Sequence, residues 1–361
     1  MSPAPSVKPS PIEHVLDLAR WAPSGDNTQP WRFEILSPSA AVIHAFDTRR
    51  HCVYDLTGGP SQIAVGAMLE TARLAASSIG MRAGVKNLPT DSDERLQFRL
   101  DLFPDAAVAC SELVQYIQTR CTNRRPYSSR PLGQRERDAI EGSVGADLHV
   151  RWLEGPQRRA VARLLFESAK IRLTIPEAYT VHRDVIEWNA QFSESRIPDQ
   201  AVGLDPVGMA LMRWAMKSWE RTSLLSNYLG GTLLPRIQLE LLPALGCAAH
   251  LVLVGRAPLA SIEDNLLVGA AVQRLWLTAT RHDLQMQPEM TPLIFAGYSR
   301  RGLAFSVEPT ASSRAARVAA RLDAILGQDV AERAVWMCRV GLADSPRSRS
   351  LRLPLERLLQ R

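Results

Sequence analysis

Two buried helices that carry the same glycine constrain the fold of this 361-residue chain more than any other feature. Residues 61–79 and 266–279 both read as helices that are apolar almost all round and rich in small residues, a pattern typical of closely packed helices. Val65-Gly66-Ala67 in the first recurs as Val268-Gly269-Ala270 in the second, 203 positions later. Because a mid-helix glycine costs up to about 1 kcal/mol relative to alanine, its recurrence predicts close helix approach in both places. Chance similarity is the alternative, and an internal duplication is the favoured interpretation.

Length and composition narrow the class of protein. The chain is long enough for two structural units, and 46% hydrophobic with 22% charged residues is typical of a globular protein. Its five scattered cysteines include no C-x-x-C, which predicts reduced thiols and no structural zinc. The first eleven residues lack the apolar core of a secretory signal, and no apolar run approaches the roughly 20 residues that span a bilayer. These features predict a cytoplasmic protein without a membrane partner.

The charge pattern and the missing motifs exclude further classes. The net charge is +6, but the basic residues are spread among acidic ones and aromatics make up only 6%, which argues against nucleic-acid binding. The chain has no G-x-G-x-x-G, G-x-x-x-x-G-K-[ST], G-x-S-x-G or H-E-x-x-H motif. Its seven histidines are isolated, so no constellation of acid, base or nucleophile predicts a hydrolase.

The loop from Ala22 to Trp31 holds an unusual density of short polar side chains. It follows a short predicted helix, precedes a predicted strand at 31–36, and is stiffened by two prolines, while Gly25 permits a backbone turn that other residues resist. An ST-turn or Asx-turn at a helix end is the structural alternative. Ser24, Asn27, Gln29, Pro30 and Trp31 together resemble the Ser-x-x-Asn-x-Gln-Pro-Trp signature of the FMN-dependent nitroreductase family.

This resemblance implies a flavin cofactor, FMN, whose ring edge offers two carbonyl oxygens and one N–H to protein amides and backbone groups. The hydride chemistry then belongs to the flavin, so no catalytic side chain is predicted. The cofactor contacts that the resemblance implies in this loop are Pro23, Ser24, Gly25, Asp26, Asn27 and Gln29. Residues 283–290 stand where the family backbone reaches the ring, which adds Pro288 and Glu289. The family often has glycine in that turn, and this chain has Asp283 and Met290.

Two basic stretches resemble the phosphate contacts of the family. Arg120, Thr122 and Arg124 alternate along an extended segment, so their side chains share one face and could converge on one anion. A solvated basic turn is the alternative reading of this segment. Near the C-terminus Arg352 begins a matching Arg-x-Pro-Leu-Glu, but Ser350 stands where the family has a second basic residue. Arg349 or Arg347 could take its place.

The two halves of the duplication are incomplete in opposite ways. The first, residues 1–112, has the loop but no phosphate-binding opening, and the second, residues 113–361, has the opening but no copy of the loop. Since nitroreductases are usually homodimers with FMN at the interface, the chain resembles such a dimer fused into one polypeptide. This predicts an α+β, nitroreductase-like fold with two tandem halves, two mixed or antiparallel sheets and one composite FMN site. The protein would be a monomer, as a pseudo-dimer, or a homodimer.

Two helical segments complete the predicted organisation. Residues 111–119 read as a helix. Residues 175–242 have no counterpart in the first half, and Trp188, Trp214 and Trp219 are spaced along them. This insertion resembles the helical excursion that covers the flavin in the family; a helical hairpin packed on the core is the alternative.

The function that follows is an FMN-dependent oxidoreductase of nitroreductase type. NAD(P)H would be the electron donor, and a nitroaromatic, a quinone or another electrophilic small molecule the acceptor. A flavin-sequestering protein with little turnover, and a specialised flavin dehydrogenase of a biosynthetic intermediate, remain as alternatives.

Overall fold

The N-terminal part of the chain forms a four-stranded antiparallel sheet beside one long helix. The structure is a computed structural model that describes residues 9–228 and 230–360, with only the backbone described at 227 and 228. The strand order is β1-β2-β4-β3. The elements in chain order are α1 (Pro11–Ala19), β1 (Trp31–Ser37), β2 (Ala40–Phe46), α2 (Gly59–Ser77), β3 (Met81–Leu88) and β4 (Arg95–Pro104). Strand β3 was not predicted: Met81, Ala83 and Val85 alternate along it and pack against the core, but this edge strand buries no side chain fully.

The second sheet is also four-stranded and antiparallel, in the order β10-β11-β9-β5, with the fully buried β9 in its interior. Its framework begins with α3 (Gln134–Ser143), β5 (Leu148–Leu153) and α4 (Pro156–Thr174), which precede the predicted insertion of residues 175–242. After it come β9 (Ala249–Gly255), α10 (Ile262–Arg281), β10 (Leu284–Pro288), α11 (Thr291–Arg301), α12 (Ala311–Leu326), α13 (Gln328–Glu332), β11 (Ala334–Leu342), β12 (Arg349–Ser350) and α14 (Leu355–Leu358). The α+β class with two tandem halves is therefore confirmed.

The insertion is mainly helical, as predicted. A π-helical turn, Ile237–Leu241, joins its last two helices. Its elements are α5 (Pro176–Val185), β6 (Ile186–Glu187), β7 (Phe192–Ser193), β8 (Ile197–Pro198), α6 (Pro206–Ala215), α7 (Trp219–Tyr228), α8 (Leu233–Arg236) and α9 (Leu242–Leu245). Among the residues that the structure describes, no helix is both long and apolar enough to cross a bilayer.

Helices α2 and α10 pack against each other through the repeated glycines. A Cβ atom on Gly66 would lie 2.6 Å from Leu266 Cα, and one on Gly269 would lie 2.7 Å from the backbone nitrogen of Ala67 and would overlap the carbonyl of Ile63. Ile63 and Leu266 are themselves 203 positions apart, so each glycine meets the equivalent residue of the other helix. Such reciprocal contacts are typical of a two-fold interface. The predicted close approach is confirmed.

The helix predicted at 111–119 is wrong. The described backbone there has a single 3-10 turn, Val114–Tyr116, within irregular turns. Only Ile117 of this segment is fully buried, so an amphipathic helix would have had no apolar face to pack. The carbonyls of Gln118 and Thr119 accept hydrogen bonds from the Arg349 side chain instead.

Candidate functional site

A cavity of about 500 Å³ is bordered by both halves of the chain and by the insertion. This volume lies in the range of sites for cofactors and drug-sized ligands. Eleven of the twelve predicted cofactor contacts line it: Pro23, Ser24, Gly25, Asp26, Asn27, Arg120, Thr122, Arg124, Pro288, Glu289 and Arg352. The fold thus brings together segments that are more than 300 positions apart in the sequence.

Gln29 is the exception among the predicted contacts, because its side chain is 1% exposed and does not line the cavity. Its Nε2 donates to the carbonyls of Asn27 and Glu194, and its Oε1 accepts from the backbone N–H of Leu353. These bonds hold a loop in which Asp26, Asn27 and Gln29 all have positive φ, of 49°, 61° and 48°. A positive φ at a non-glycine residue costs on the order of 1 kcal/mol or more and is common at functional sites. Gln29 therefore shapes the loop instead of facing the cavity.

Asn27 presents an unsatisfied acceptor in the cavity wall. Its Nδ2 donates to the carbonyls of Glu194, at 3.1 Å, and Arg196, at 3.2 Å, while its buried Oδ1 has no partner among the described protein groups. The two donated bonds fix the carboxamide orientation. Since an unsatisfied buried oxygen costs about 1–3 kcal/mol, a ligand that donates to it would recover that energy.

Three arginines form the anion end of the cavity. Arg120 donates to the carbonyl of Trp21 at 2.8 Å, and Arg352 donates twice to that of Ala22 at 3.0 Å. The Nε atoms of Arg120 and Arg349 are buried without a partner. Within residues 9–228 and 230–360, none of the three forms an ion pair with a carboxylate. Guanidinium groups that converge in this way suit an anion.

The electrostatics of this anion end support that interpretation. Burial, with the neighbouring charge of Arg349, lowers the pKa of Arg120 to about 10. Burial and the charges of Arg120, Arg349 and Arg20 lower the pKa of Arg352 well below its ordinary value. A bound phosphate would relieve the repulsion and accept charge-assisted hydrogen bonds from the guanidinium groups.

The predicted face of Arg120, Thr122 and Arg124 is divided in the structure. Thr122 lines the cavity and its backbone bridges to Met286, but Arg124 donates to the carbonyl of Ala201 and its nearest opposite charge is Asp26. Burial raises the pKa of Asp26, and the charge of Arg124 opposes this. Of the two substitutes considered for the missing basic residue, Arg349 lines the cavity and Arg347 does not. The sequence could not show that Arg120 and Arg124, which both line the cavity, donate to different carbonyls, those of Trp21 and Ala201.

Two lining residues that the sequence did not reveal are Gln287 and Arg339. They are cross-strand partners on β10 and β11. Gln287 has an unpartnered buried acceptor, Oε1, and Arg339 an unpartnered buried donor, Nε. A ligand that offers both a donor and an acceptor would satisfy these two atoms. The sequence offered one indication of this site, because Arg339 is a single arginine within the otherwise apolar strand β11.

A buried chain of charges holds Arg339 in place. His250 Nδ1 lies 2.7 Å from Glu289 Oε2, and Arg339 donates to Glu289 Oε1 at 3.4 Å and to the carbonyl of Arg124 at 3.0 Å. The His250 side chain is fully buried. Although burial alone would lower it, the charge of Glu289 raises the pKa of His250 to about 10.

This raised pKa predicts a specific dependence of stability on pH. The protonated His250 contributes its full stability below about pH 6.5, the ordinary histidine value, and loses it as the pH rises through about 10. In that window the folded state binds one proton more than the unfolded state, so the free energy of unfolding falls by up to about 1.4 kcal/mol per pH unit. Urea unfolding of wild type and His250→Gln from pH 6 to 10 measures this slope. An equal slope in both proteins would contradict the prediction.

The end of the cavity beneath the insertion combines apolar walls with two polar pairs. Tyr54 Oη lies 2.9 Å from His182 Nε2, and Arg172 donates to Glu240 at 2.5 Å. Burial and the charge of Arg172 lower the pKa of His182 to about 3, so the ring is neutral at physiological pH. The apolar walls include Leu165, Leu173, Leu211, Met212, Met216 and Leu225.

Comparison with known proteins relates the chain to one family. Residues 2–56 match the model of the nitroreductase family. An uncharacterized protein of Mycobacterium tuberculosis is 24% identical over 306 residues, which are 83% of this chain and 42% of the relative. A protein named "Putative NAD(P)H nitroreductase acg" from the same organism is 25% identical over 187 residues, 51% of this chain and 55% of the relative. The chain thus spans about half the length of these relatives, or less.

Two solved structures are also similar. One is the FMN-dependent nitroreductase NfnB from Mycobacterium smegmatis in complex with NADPH, with a TM-score of 0.37 and 15% identity, covering 69% of this chain and 98% of that one. The other is a nitroreductase-like family protein from Bacillus cereus, with a TM-score of 0.35 and 11% identity, covering 70% and 96%.

Proposed function

Because this chain is a relative of the nitroreductases, we propose that it binds FMN in the cavity and transfers hydride from NAD(P)H to a small electrophilic molecule. The observation that carries the proposal is the cluster of Arg120, Arg349 and Arg352, which has no carboxylate partner among the described residues, at one end of a cavity large enough for a cofactor. The acceptor would be a nitroaromatic, a quinone or a related electrophile.

The residues present fit FMN at both ends. The arginine cluster suits the phosphate, since guanidinium groups hold phosphate oxygens through charge-assisted hydrogen bonds. The Arg339 Nε donor suits a carbonyl of the flavin edge, and one of the two acceptors, Gln287 Oε1 or Asn27 Oδ1, suits its single N–H. All three atoms are buried and have no partner among the described protein groups.

When bound, FMN supplies the hydride chemistry, and the protein supplies binding, orientation and electrostatics. The strained loop at Asp26 and Asn27 fixes the Asn27 acceptor. Glu289 and His250 hold the Arg339 guanidinium against the cavity wall. The helices of the insertion cover the apolar end and keep bulk water from it, which strengthens the polar interactions there.

Flavin sequestration with little turnover is a second candidate function, and the insertion is the observation that favours it. Its helices α6 and α7 and the π-helical turn Ile237–Leu241 contribute apolar lining over the cavity. A cover that stays closed would exclude a dinucleotide. Flavin that co-purifies and is reduced by dithionite but not by NAD(P)H would favour this function.

The absorption spectrum of the purified protein tests the leading proposal most directly. Flavin bands that bleach when NADPH or NADH is added under anaerobic conditions are the expected result. A colourless protein that neither binds added FMN nor oxidises NAD(P)H in its presence would overturn both candidate functions.

Substitution of Asn27 and Arg120 tests whether the site is shared between the two halves. Asn27→Asp and Arg120→Ala should each weaken FMN affinity, by about 5- to 150-fold: Arg120→Ala removes a guanidinium donor, and Asn27→Asp replaces the Nδ2 donor with a charged oxygen facing the carbonyls of Glu194 and Arg196, so the acceptor loses its fixed orientation. Fluorescence titration with FMN measures the effect, and Asn87→Asp, at an exposed position of β3, is the matched control. Unchanged FMN affinity in Asn27→Asp would exclude the N-terminal loop from the site.

A further inference from the structure

The apolar end of the cavity contains a hydroxyl group that the binding of FMN does not require. Tyr54 comes from the segment between β2 and α2, and its Oη lies 2.9 Å from Nε2 of His182 on the inserted helix α5. Both side chains line the cavity. A tyrosine of one half is therefore paired with a histidine of the insertion at the wall where an acceptor would lie.

We propose that Tyr54 is the proton donor to the electron acceptor, that His182 positions it, and that the acceptor is an uncharged molecule with a carbonyl or nitro oxygen. This inference rests on the proposed function, which supplies the hydride. It assigns a chemical role to the insertion, whose other cavity-lining groups are largely apolar.

The charges around the cavity indicate an uncharged acceptor. Apart from the arginine cluster, the described lining contains three arginines, Arg124, Arg172 and Arg339, and three carboxylates, Asp26, Glu240 and Glu289. Two of these arginines donate directly to carboxylates, Arg172 to Glu240 and Arg339 to Glu289. With the arginine cluster matched to a phosphate, this end offers a neutral, largely apolar environment.

The surroundings of Tyr54 suit the transfer of a proton. Burial raises the pKa of Tyr54 above its ordinary value, so the phenol keeps its proton until a strongly basic oxygen appears beside it. The charge of Arg172 acts in the opposite direction and would stabilise a phenolate. The neutral His182 can donate its Nε2–H to that phenolate when it is the Nε2-protonated tautomer.

The π-helical turn Ile237–Leu241 gives an independent indication that this end is a site. It carries Glu240, whose side chain fixes Arg172. Helices rarely contain π turns, and those that do often have them at functional positions. Here the turn brings a carboxylate to the arginine that lies beside the Tyr54 and His182 pair.

The proposed step balances as follows. The acceptor gains a hydride from the reduced cofactor, which is thereby oxidised by two electrons. The Tyr54 O–H bond breaks, and the acceptor oxygen gains that proton. Water then reprotonates the phenolate and leaves as hydroxide. The acceptor is reduced by two electrons, and Tyr54 returns to its starting state.

Reoxidation of the reduced holoenzyme tests the proposal, with menadione and ferricyanide as probes. Menadione must gain hydrogen, whereas ferricyanide takes electrons one at a time and no proton. In anaerobic stopped-flow experiments on dithionite-reduced protein, Tyr54→Phe should slow reoxidation by menadione by about 100-fold or more and leave ferricyanide unchanged. Wild type should show a solvent deuterium isotope effect with menadione only, and His182→Ala should slow the menadione reaction less than Tyr54→Phe.

Tyr298→Phe is the matched control, because the Tyr298 hydroxyl bonds Val53 and Leu56 beside Tyr54 but does not line the cavity. Tyr298→Phe should lower the free energy of unfolding and leave the rates of reoxidation by menadione and by ferricyanide unchanged. The proton-donor role would be overturned if Tyr54→Phe slowed reoxidation by menadione and by ferricyanide equally, or slowed neither reaction. It would also be overturned if ferricyanide reoxidised the reduced wild-type protein and menadione did not. A wild-type protein that binds no FMN would overturn the proposed function itself, so the two failures are distinguishable.

Discussion

Replacing Gly66 and Gly269 by alanine is expected to produce the largest loss of stability in this protein. The added methyl groups would meet backbone atoms of the facing helix, Leu266 Cα at 2.6 Å and the Ala67 nitrogen at 2.7 Å. Backbone atoms cannot move aside as a side-chain end can, so α2 and α10 would have to separate along their whole contact. Overpacking of this kind costs about 1–3 kcal/mol at a single site. We expect each single variant to reach the upper end of that range or exceed it.

Urea unfolding measures this loss, and Gly297→Ala is the matched control. Gly297 also lies within a helix, α11, but a Cβ there would have no neighbour within 4 Å. Alanine at that position should stabilise the protein by about 0.5–1 kcal/mol through helix propensity. Equal effects at positions 66 and 297 would show that the helices do not approach as closely as described.

Loss of Arg120 and Arg352 together is expected to abolish the preference of the protein for FMN over riboflavin. The two ligands differ only in the phosphate, so their affinity ratio isolates the contribution of the arginine cluster. Each charge-assisted hydrogen bond contributes about 1.5–3 kcal/mol, or about 10- to 150-fold in affinity. Arg120→Gln with Arg352→Gln should therefore weaken FMN binding by at least 100-fold and leave riboflavin binding almost unchanged.

Arg124→Gln is the control for that experiment. Arg124 lines the same cavity, but its opposite charge is Asp26 and it lies apart from the arginine cluster. Its loss should leave the ratio of FMN to riboflavin affinity within a few-fold of wild type. Parallel fluorescence titrations with both flavins measure the ratios. The phosphate would have to lie at the other end of the cavity if Arg124→Gln lowered the ratio of FMN to riboflavin affinity while the double variant of Arg120 and Arg352 kept the wild-type ratio.

Several features could be predicted from the sequence because they are local or periodic. The repeated helix with Gly66 and Gly269, the strand β1 and the polar loop at 23–27 all depend on patterns within about twenty residues. The domain boundary near residue 112 remains a proposal, and it falls between the last strand of the first sheet and α3. The cofactor assignments remain proposals as well, although eleven of the twelve residues line one cavity.

Other features depended on how distant segments meet. Edge strand β3 buries no side chain fully, and its apolar pattern is limited to Met81, Ala83 and Val85. In the non-helical segment 111–119, the carbonyls of Gln118 and Thr119 meet the distant Arg349. Gln29 matched the signature, but its side chain does not face the cavity. Two backbone carbonyls and one backbone N–H form hydrogen bonds with it instead. Tyr54 and His182 carry no motif, since 127 residues separate them in the chain and only packing of the insertion brings them together.

The sequence alone determined that two similar glycine-bearing helices pack closely and that the halves carry complementary basic and polar segments, because helix periodicity and side-chain chemistry are encoded locally. Only the tertiary structure decided that Arg349 joins Arg120 and Arg352, while Arg124, which also lines the cavity, donates to the carbonyl of Ala201. It also decided that Gln287 and Arg339 face the cavity together. The direction of a side chain depends on backbone turns and cross-strand register, and these are set by contacts between segments that are far apart in the chain.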